Sequence, residues 1–206
     1  MGRFLDDEAK RALQAAVERI EAGSAAEAVV VAPVQSGRYL HADLLGGIAC
    51  GWLSLGFLLL SDWSFSIASL WLEPLACGLL GGWLVSRTPA LRRWLTPAKW
   101  RREAVTRCAR ATFFERRISE TRDRSGLLVY LSQLEREVVV LADRGIQQAV
   151  AGSDWERLQA ALSLAVHAND ALAAAQALSE FARVAQTALP RRADDQNEIS
   201  DAVVSE

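Results

Sequence analysis

The sequence predicts an α/β (α+β) sandwich, a short mixed sheet between helices, interrupted by a two-helix transmembrane hairpin. Three observations predict it. Residues 44–86 are a long apolar run whose only charged side chains are Asp62 and Glu73. One strand-like run precedes it, Ala28–Ala32, and two follow it, Leu127–Ser132 and Glu137–Ala142. The net charge of -2 over 206 residues is also an average of unlike parts. Basic against acidic side chains number 5 and 7 in residues 1–43, none and 2 in 44–86, 12 and 4 in 87–124, and 6 and 12 in 125–206. Segregation of this kind argues against a uniform globular domain, and the overall balance against a strongly basic nucleic-acid binder.

Taken in order, Leu5, Ala9, Leu13, Ala16, Val17 and Ile20 recur at helical spacing over residues 5–22. Asp6, Asp7 and Glu8 suit the positive end of that helix, and Gly23-Ser24 stops it. The apolar run Ala28-Val29-Val30-Val31-Ala32, ended by Pro33, reads as a strand buried on both faces. A helix and strand of about 35 residues cannot bury a core alone, so their partner must lie beyond the hairpin. The first residues are acidic and lack an apolar h-region, so no secretory signal is expected. Asp6 stands where an N-myristoylation pattern takes Ser or Thr.

Spanning a bilayer takes about 20 apolar residues in a helix, and the run is long enough for two such passes. The polar turn Ser61-Asp62-Trp63-Ser64 divides it into Leu44–Leu60 and Phe65–Ser86. Six of the seven tryptophans lie between Trp52 and Trp100, as expected of rings that favour the headgroup level. Arg87, Arg92, Arg93, Lys99, Arg101 and Arg102 follow the second helix, Arg38 and His41 precede the first, and the turn has no basic residue. Both soluble flanks are therefore expected to be cytoplasmic, with Asp62 on the far side. Each helix carries a small-residue repeat, Gly47 with Gly51 and Gly78 with Gly82. It serves either packing within the hairpin or a homo-oligomer face. Glu73 is a carboxylate inside an apolar helix, a costly placement that raises the alternative of a small transport component. Pro74 beside it admits the other reading, a kink or a late helix start that leaves Glu73 in the interface. Cys50, Cys77 and Cys108 have no disulfide or metal spacing.

Residues 89–118 form a basic, helical stretch punctuated by Pro89 and Pro97, in which Ala104, Val105, Cys108, Thr112 and Phe113 share a face. Such a stretch gains about 1 kcal/mol per cation from anionic headgroups. After a turn over Thr121–Gly126, the two strand runs form an antiparallel hairpin through Leu134-Glu135-Arg136, and Asp143-Arg144-Gly145-Ile146 ends the second run. One helix then buries Trp155, Leu158, Leu162, Ala165 and Val166, with His167 on its apolar face. Asn169 or Asp170 caps the next, which buries Leu172, Ala175, Leu178, Phe181, Ala182 and Ala185 and stops at Pro190. The expected divisions are residues 1–36 and 121–190 as two parts of one domain, 37–88 as the hairpin, 89–120 as a basic juxtamembrane segment and 191–206 as an acidic tail.

Three pieces carry a family resemblance: Ala16–Ala32 (AVERIEAGSAAEAVVVA), Thr121–Ile146 (TRDRSGLLVYLSQLEREVVVLADRGI) and Asp194–Val203 (DDQNEISDAV). With them the chain resembles the TPM family, in its short bacterial membrane-protein branch. The resemblance implies a small α/β domain mounted on a membrane. It also implies a role in assembling or maintaining membrane complexes, and, for the wider family, divalent-metal binding or phosphatase activity. The residues that match its motifs are Thr121, Gly126, Asp143, Arg144, Gly145 and Ile146, with Asn197 and Glu198 in the tail. The chain departs from the metal-binding pattern after Ile146: Gln147-Gln148-Ala149-Val150-Ala151-Gly152 follows, with no carboxylate before Asp154.

No phosphate-binding glycine loop, GxSxG, HExxH or CxxC occurs. Asp194, Asp195, Glu198 and Asp201 are the best carboxylate group for calcium or magnesium, which demand several oxygens on a rigid frame. Asp143 beside Arg144 is either a site at a strand end or a surface ion pair. The expected function is a membrane-anchored accessory or interaction domain with the bilayer and another membrane protein as partners and no nucleic acid. A metal-dependent phosphatase is the alternative enzyme class.

Overall fold

The computed structural model describes residues 4–121 and 123–191. Its elements run α1 (Asp7–Gly23), β1 (Glu27–Val31), α2 (Leu40–Leu60), α3 (Ile67–Arg87), α4 (Pro89–Leu95) and α5 (Ala98–Glu115). A 3₁₀ turn (Ile118–Glu120), β2 (Gly126–Ser132), β3 (Glu137–Ala142), α6 (Arg144–Ala149), α7 (Gly152–Ala168) and α8 (Ala171–Ala188) complete them. The chain forms two compact units, one from residues up to Ser36 and from Arg102 onward, the other from Gly37–Arg101.

The first unit is a mixed α/β fold around a three-stranded sheet of order β1-β2-β3. β1 pairs parallel with β2, Glu27 opposite Gly126 and Val31 opposite Tyr130; β2 pairs antiparallel with β3, Leu127 opposite Ala142. Parallel neighbours require a crossover of a dozen residues or more, so the β1–β2 connection is the natural place for a long insertion. Side chains alternate across the strands. Ala28, Val30, Leu127, Val129 and Leu131 pack with Leu13 and Ile20 of α1, Leu162 of α7 and Leu178 and Phe181 of α8. Val29, Val31, Leu128 and Tyr130 pack on the other face against Val105, Ala109 and Phe113 of α5 and Ile118. Burial on both faces explains the uninterrupted apolar runs, and each enclosed Leu or Ile contributes about 2 kcal/mol. The outward N–H of Ala28 on edge strand β1 donates to Glu21 Oε1 at 3.2 Å, which closes part of that edge.

Local signals account for the boundaries. Asp6 caps α1 by accepting from the Ala9 N–H at 2.7 Å, and Asp170 caps α8 from the Ala173 N–H at 2.9 Å. Asn169 instead ends α7 in the left-handed conformation, with φ of 60°. Three expectations are corrected. Residues 143–146 do not simply end β3; Asp143 caps α6, whose six residues are too few to show a helical period. Leu172 is exposed on α8, while Ala171, Ala174 and Ala175 face the core. His167 lies exposed in the last turn of α7, its Nδ1 2.8 Å from the Ser163 carbonyl.

The second unit is a pair of apolar helices, α2 and α3, of 21 residues each. At 1.5 Å per residue each reaches about 31 Å, close to the thickness of a bilayer's hydrocarbon core. They are long and apolar enough to cross a membrane, and they are not core helices: 11% and 6% of their most apolar windows are buried. Leu53, Phe57, Leu60, Trp71, Leu72 and Leu79 all point outward. Of the two readings for Pro74, the late helix start is not what forms: Ser66 caps α3 by accepting from the Ser69 N–H and Pro74 lies inside the helix. A nucleus set upstream lets the helix run through a proline that removes one hydrogen bond.

Candidate functional site

In the first unit the motif residues of the middle segment converge. Thr121 is buried, and its Oγ1 accepts from the Ser125 N–H at 2.9 Å. This closes a tight loop in which Arg124 takes the left-handed conformation, φ 53°. Gly126 opens β2, and a Cβ there would collide with the Ile118 carbonyl. The Gly126 carbonyl accepts from the Asp143 N–H at 2.9 Å, and the Arg124 carbonyl from the Gly145 N–H at 2.9 Å. A Cβ on Gly145 would stand 2.5 Å from the Asp123 carbonyl oxygen and 2.7 Å from that of Arg124. Glycine is required at both positions by close backbone approach. Thr121, residues 123–126 and the start of α6 thus form one interlocked corner.

Asp143 is its charged centre. Oδ1 accepts from the Arg144 N–H at 2.7 Å. Oδ2 is buried without a hydrogen bond, 3.8 Å from Arg124 Nη1. The pairing with Arg144 anticipated from adjacency is therefore a main-chain cap, and the guanidinium facing Asp143 is that of Arg124. The Arg144 side chain is exposed. Asn197 and Glu198, with Asp194, Asp195 and Asp201, lie outside the described residues. Among the described residues no group of three or more His, Cys, Asp or Glu side chains is arranged to hold a metal ion.

A second constellation escaped sequence reading. Glu135, in the β2–β3 turn, is almost wholly enclosed. Its Oε1 accepts from the Ser36 N–H at 2.8 Å, and its Oε2 from the Ser132 hydroxyl. Ser36 Oγ stands 2.7 Å from Ser132 Oγ and 3.3 Å from the Tyr130 hydroxyl, and the Cys108 thiol donates to the Ser36 carbonyl at 3.1 Å. Burial pushes the Tyr130 phenol above its ordinary value; the Ser36 hydrogen bond opposes this, and Cys108 and Glu135 add to it. Nearby, the Gln133 and Leu134 N–H groups donate to the Pro33 and Val34 carbonyls. The chain leaving β1 is laced to the β2–β3 turn. The one local sign is Ser132-x-x-Glu135, the spacing of a helix capping box used here in a hairpin turn.

In the second unit the glycine repeats of α2 and α3 face each other. A Cβ on Gly47 would stand 2.8 Å from the Gly78 carbonyl oxygen, one on Gly51 3.1 Å from that of Pro74, and one on Gly82 3.1 Å from that of Asp43. The missing side chains leave an apolar groove of about 680 Å³ along one side, bordered by Ile48, Trp52, Leu79 and Trp83. At its end Asp43 accepts two hydrogen bonds from Arg92, 2.9 Å from Nε and 2.7 Å from Nη2, which holds the guanidinium pKa above its ordinary value. His41 Nε2 lies 3.1 Å from Thr96 Oγ1, with its ring edge-on to Trp100. Glu73 is exposed on α3.

No family model matches the chain, and neither does any curated protein. Among solved structures, it is similar to the NMR structure of the BA42 protein from the psychrophilic bacterium Bizionia argentinensis. The TM-score is 0.59 at 13% identity, over 100% of this chain and 98% of that one. At that identity the likeness is one of fold.

Proposed function

We propose that the chain is a TPM-like accessory domain held at the cytoplasmic face of a bacterial inner membrane by its own helical hairpin, where it engages another membrane protein. The observation that carries this reading is the insertion of two outward-facing apolar helices into the β1–β2 crossover of an α/β fold. Outward Trp and Leu side chains over 21-residue helices are costly in water and favourable in lipid. Arginines after α3 and none in the α2–α3 turn support cytoplasmic termini.

Two measurements test it. A cysteine at Asp62 is expected to react with an impermeant maleimide from outside intact cells, and a cysteine at Arg144 only after lysis. A photoreactive residue at Arg144 is expected to yield a defined adduct in native membranes. Extraction of the chain by carbonate, or no adduct from any exposed position of the first unit, overturns the reading.

One observation favours a second reading, a metal-dependent phosphatase: the buried Asp143 Oδ2 without a hydrogen bond. The full chain in detergent would then hydrolyse a generic phosphate ester with calcium or magnesium and lose that activity in Asp143→Asn.

A further inference from the structure

One face of α5 is unaccounted for by the sheet it covers. Val105, Ala109 and Phe113 turn toward the core. On the opposite side Arg107, Arg110 and Phe114 follow at intervals of three and four, the spacing of a single helical stripe. Arg117 extends the line just beyond the helix. Phe114 is 68% exposed and its ring meets Phe113 only edge-on. A large ring left in water among guanidinium groups is the composition of an interfacial segment, with the apolar group for the acyl boundary and cations for phosphate. On this line three arginines stand against one acid, Glu103, which lies one turn before Arg107; Glu115 lies to the flank, and Glu120 meets Arg117 at 3.8 Å in an exposed pair worth little.

We infer that this stripe docks onto anionic lipid headgroups, so that the first unit lies against the bilayer through α5. The inference rests on the membrane reading above. Charge complementarity selects the occupant: a cytoplasmic leaflet rich in anionic lipid attracts each arginine within a Debye length. Chain continuity supports it as well, since only the seven-residue α4 separates α3 from α5.

The test uses the full chain with an environment-sensitive fluorescent amino acid at the exposed Ala111. The protein is reconstituted in vesicles of phosphatidylcholine alone, or mixed with phosphatidylglycerol, each doped with brominated lipid. Several-fold stronger quenching is expected in the anionic vesicles, falling to the neutral level in Arg107→Glu/Arg110→Glu/Arg117→Glu and at high salt. The same three positions as lysine should retain the quenching, because the attraction reads charge, and unchanged circular dichroism guards against a folding defect. Equal quenching in both vesicles, or shielding of the probe that needs an added protein and not anionic lipid, overturns the inference. Carbonate resistance of the same vesicles separates the two readings. A resistant chain with charge-blind quenching removes only the docking, whereas an extractable chain removes the hairpin reading and the docking with it.

Discussion

The main-chain N–H of Ser36 donates to Oε1 of Glu135 at 2.8 Å across 99 positions of sequence. Between the two stand the hairpin, α5 and the whole of β2. The bond ties the chain leaving β1 to the turn that joins β2 and β3. A carboxylate with almost no solvent is tolerable there because Ser36 and Ser132 supply its donors. Removing it strands them.

Glu135→Ala is therefore expected to cost about 3 kcal/mol, since the buried Ser132 hydroxyl and the half-buried Ser36 N–H lose their acceptor. Glu135→Gln keeps one carbonyl oxygen and should lose about 1 kcal/mol. Urea unfolding in mild detergent measures both. Amide exchange at Ser36 should accelerate strongly in the alanine variant, and unchanged protection would contradict the role given to Glu135.

Gly126→Ala and Gly145→Ala should each destabilise by more than about 2 kcal/mol, because the added methyl group meets carbonyl oxygens of the backbone and not a flexible side chain. Gly152 is the internal control. Nothing lies within 4 Å of its Cβ position, and Gly152→Ala at the start of α7 should be neutral or stabilising by up to about 1 kcal/mol. Equal effects at all three positions would show that the corner is not close-packed.

Tyr130 titrates late. Its phenol lies above the ordinary value of about 10 in the folded protein and near it when unfolded. Between those two values the unfolded chain has lost the proton that the folded chain keeps. Stability is thus fully present below pH about 10 and falls as pH rises through the interval. The chain has two tyrosines, so Tyr39→Phe isolates Tyr130 for absorbance titration. A midpoint equal in folded and denatured protein would refute the burial argument.

In the hairpin, Gly47→Ile and Gly78→Ile should push α2 and α3 apart, as each side chain would occupy space held by the facing backbone. Gly56 has nothing within 4 Å of its Cβ position, so Gly56→Ile should leave the helix pair intact. Spin labels on α2 and α3 would read the separation, with broadening expected only for the first two variants.

Much of the architecture was legible because its signals are local. The helix of residues 5–22 forms as Asp7–Gly23, the strand of 28–32 as Glu27–Val31, and the two later strands lie within a residue of their expected limits. The apolar helices begin at Leu40 and Ile67, where 44 and 65 were expected, because capping and a polar first turn set the ends. Of the motif residues, Thr121, Gly126, Asp143, Arg144 and Gly145 do meet in one corner. Adjacency nevertheless misled about charge: Asp143 faces Arg124 across the loop, while the next residue contributes only its N–H. α6 stayed hidden because a helix of six residues has less than two turns in which to repeat.

By itself the sequence determined what repetition and composition can encode: period-two and helical patterns, an apolar run long enough for two passes, and arginines gathered at its end. Only the tertiary structure decided which distant groups share an enclosure. Ser36, Cys108, Tyr130, Ser132 and Glu135 form one network, and Gly126 lies against Ile118, because the parallel pairing of β1 with β2 closes the crossover and brings both ends of the insertion together. Such contacts depend on distance in space, and residues nearly 100 positions apart leave no local pattern to read.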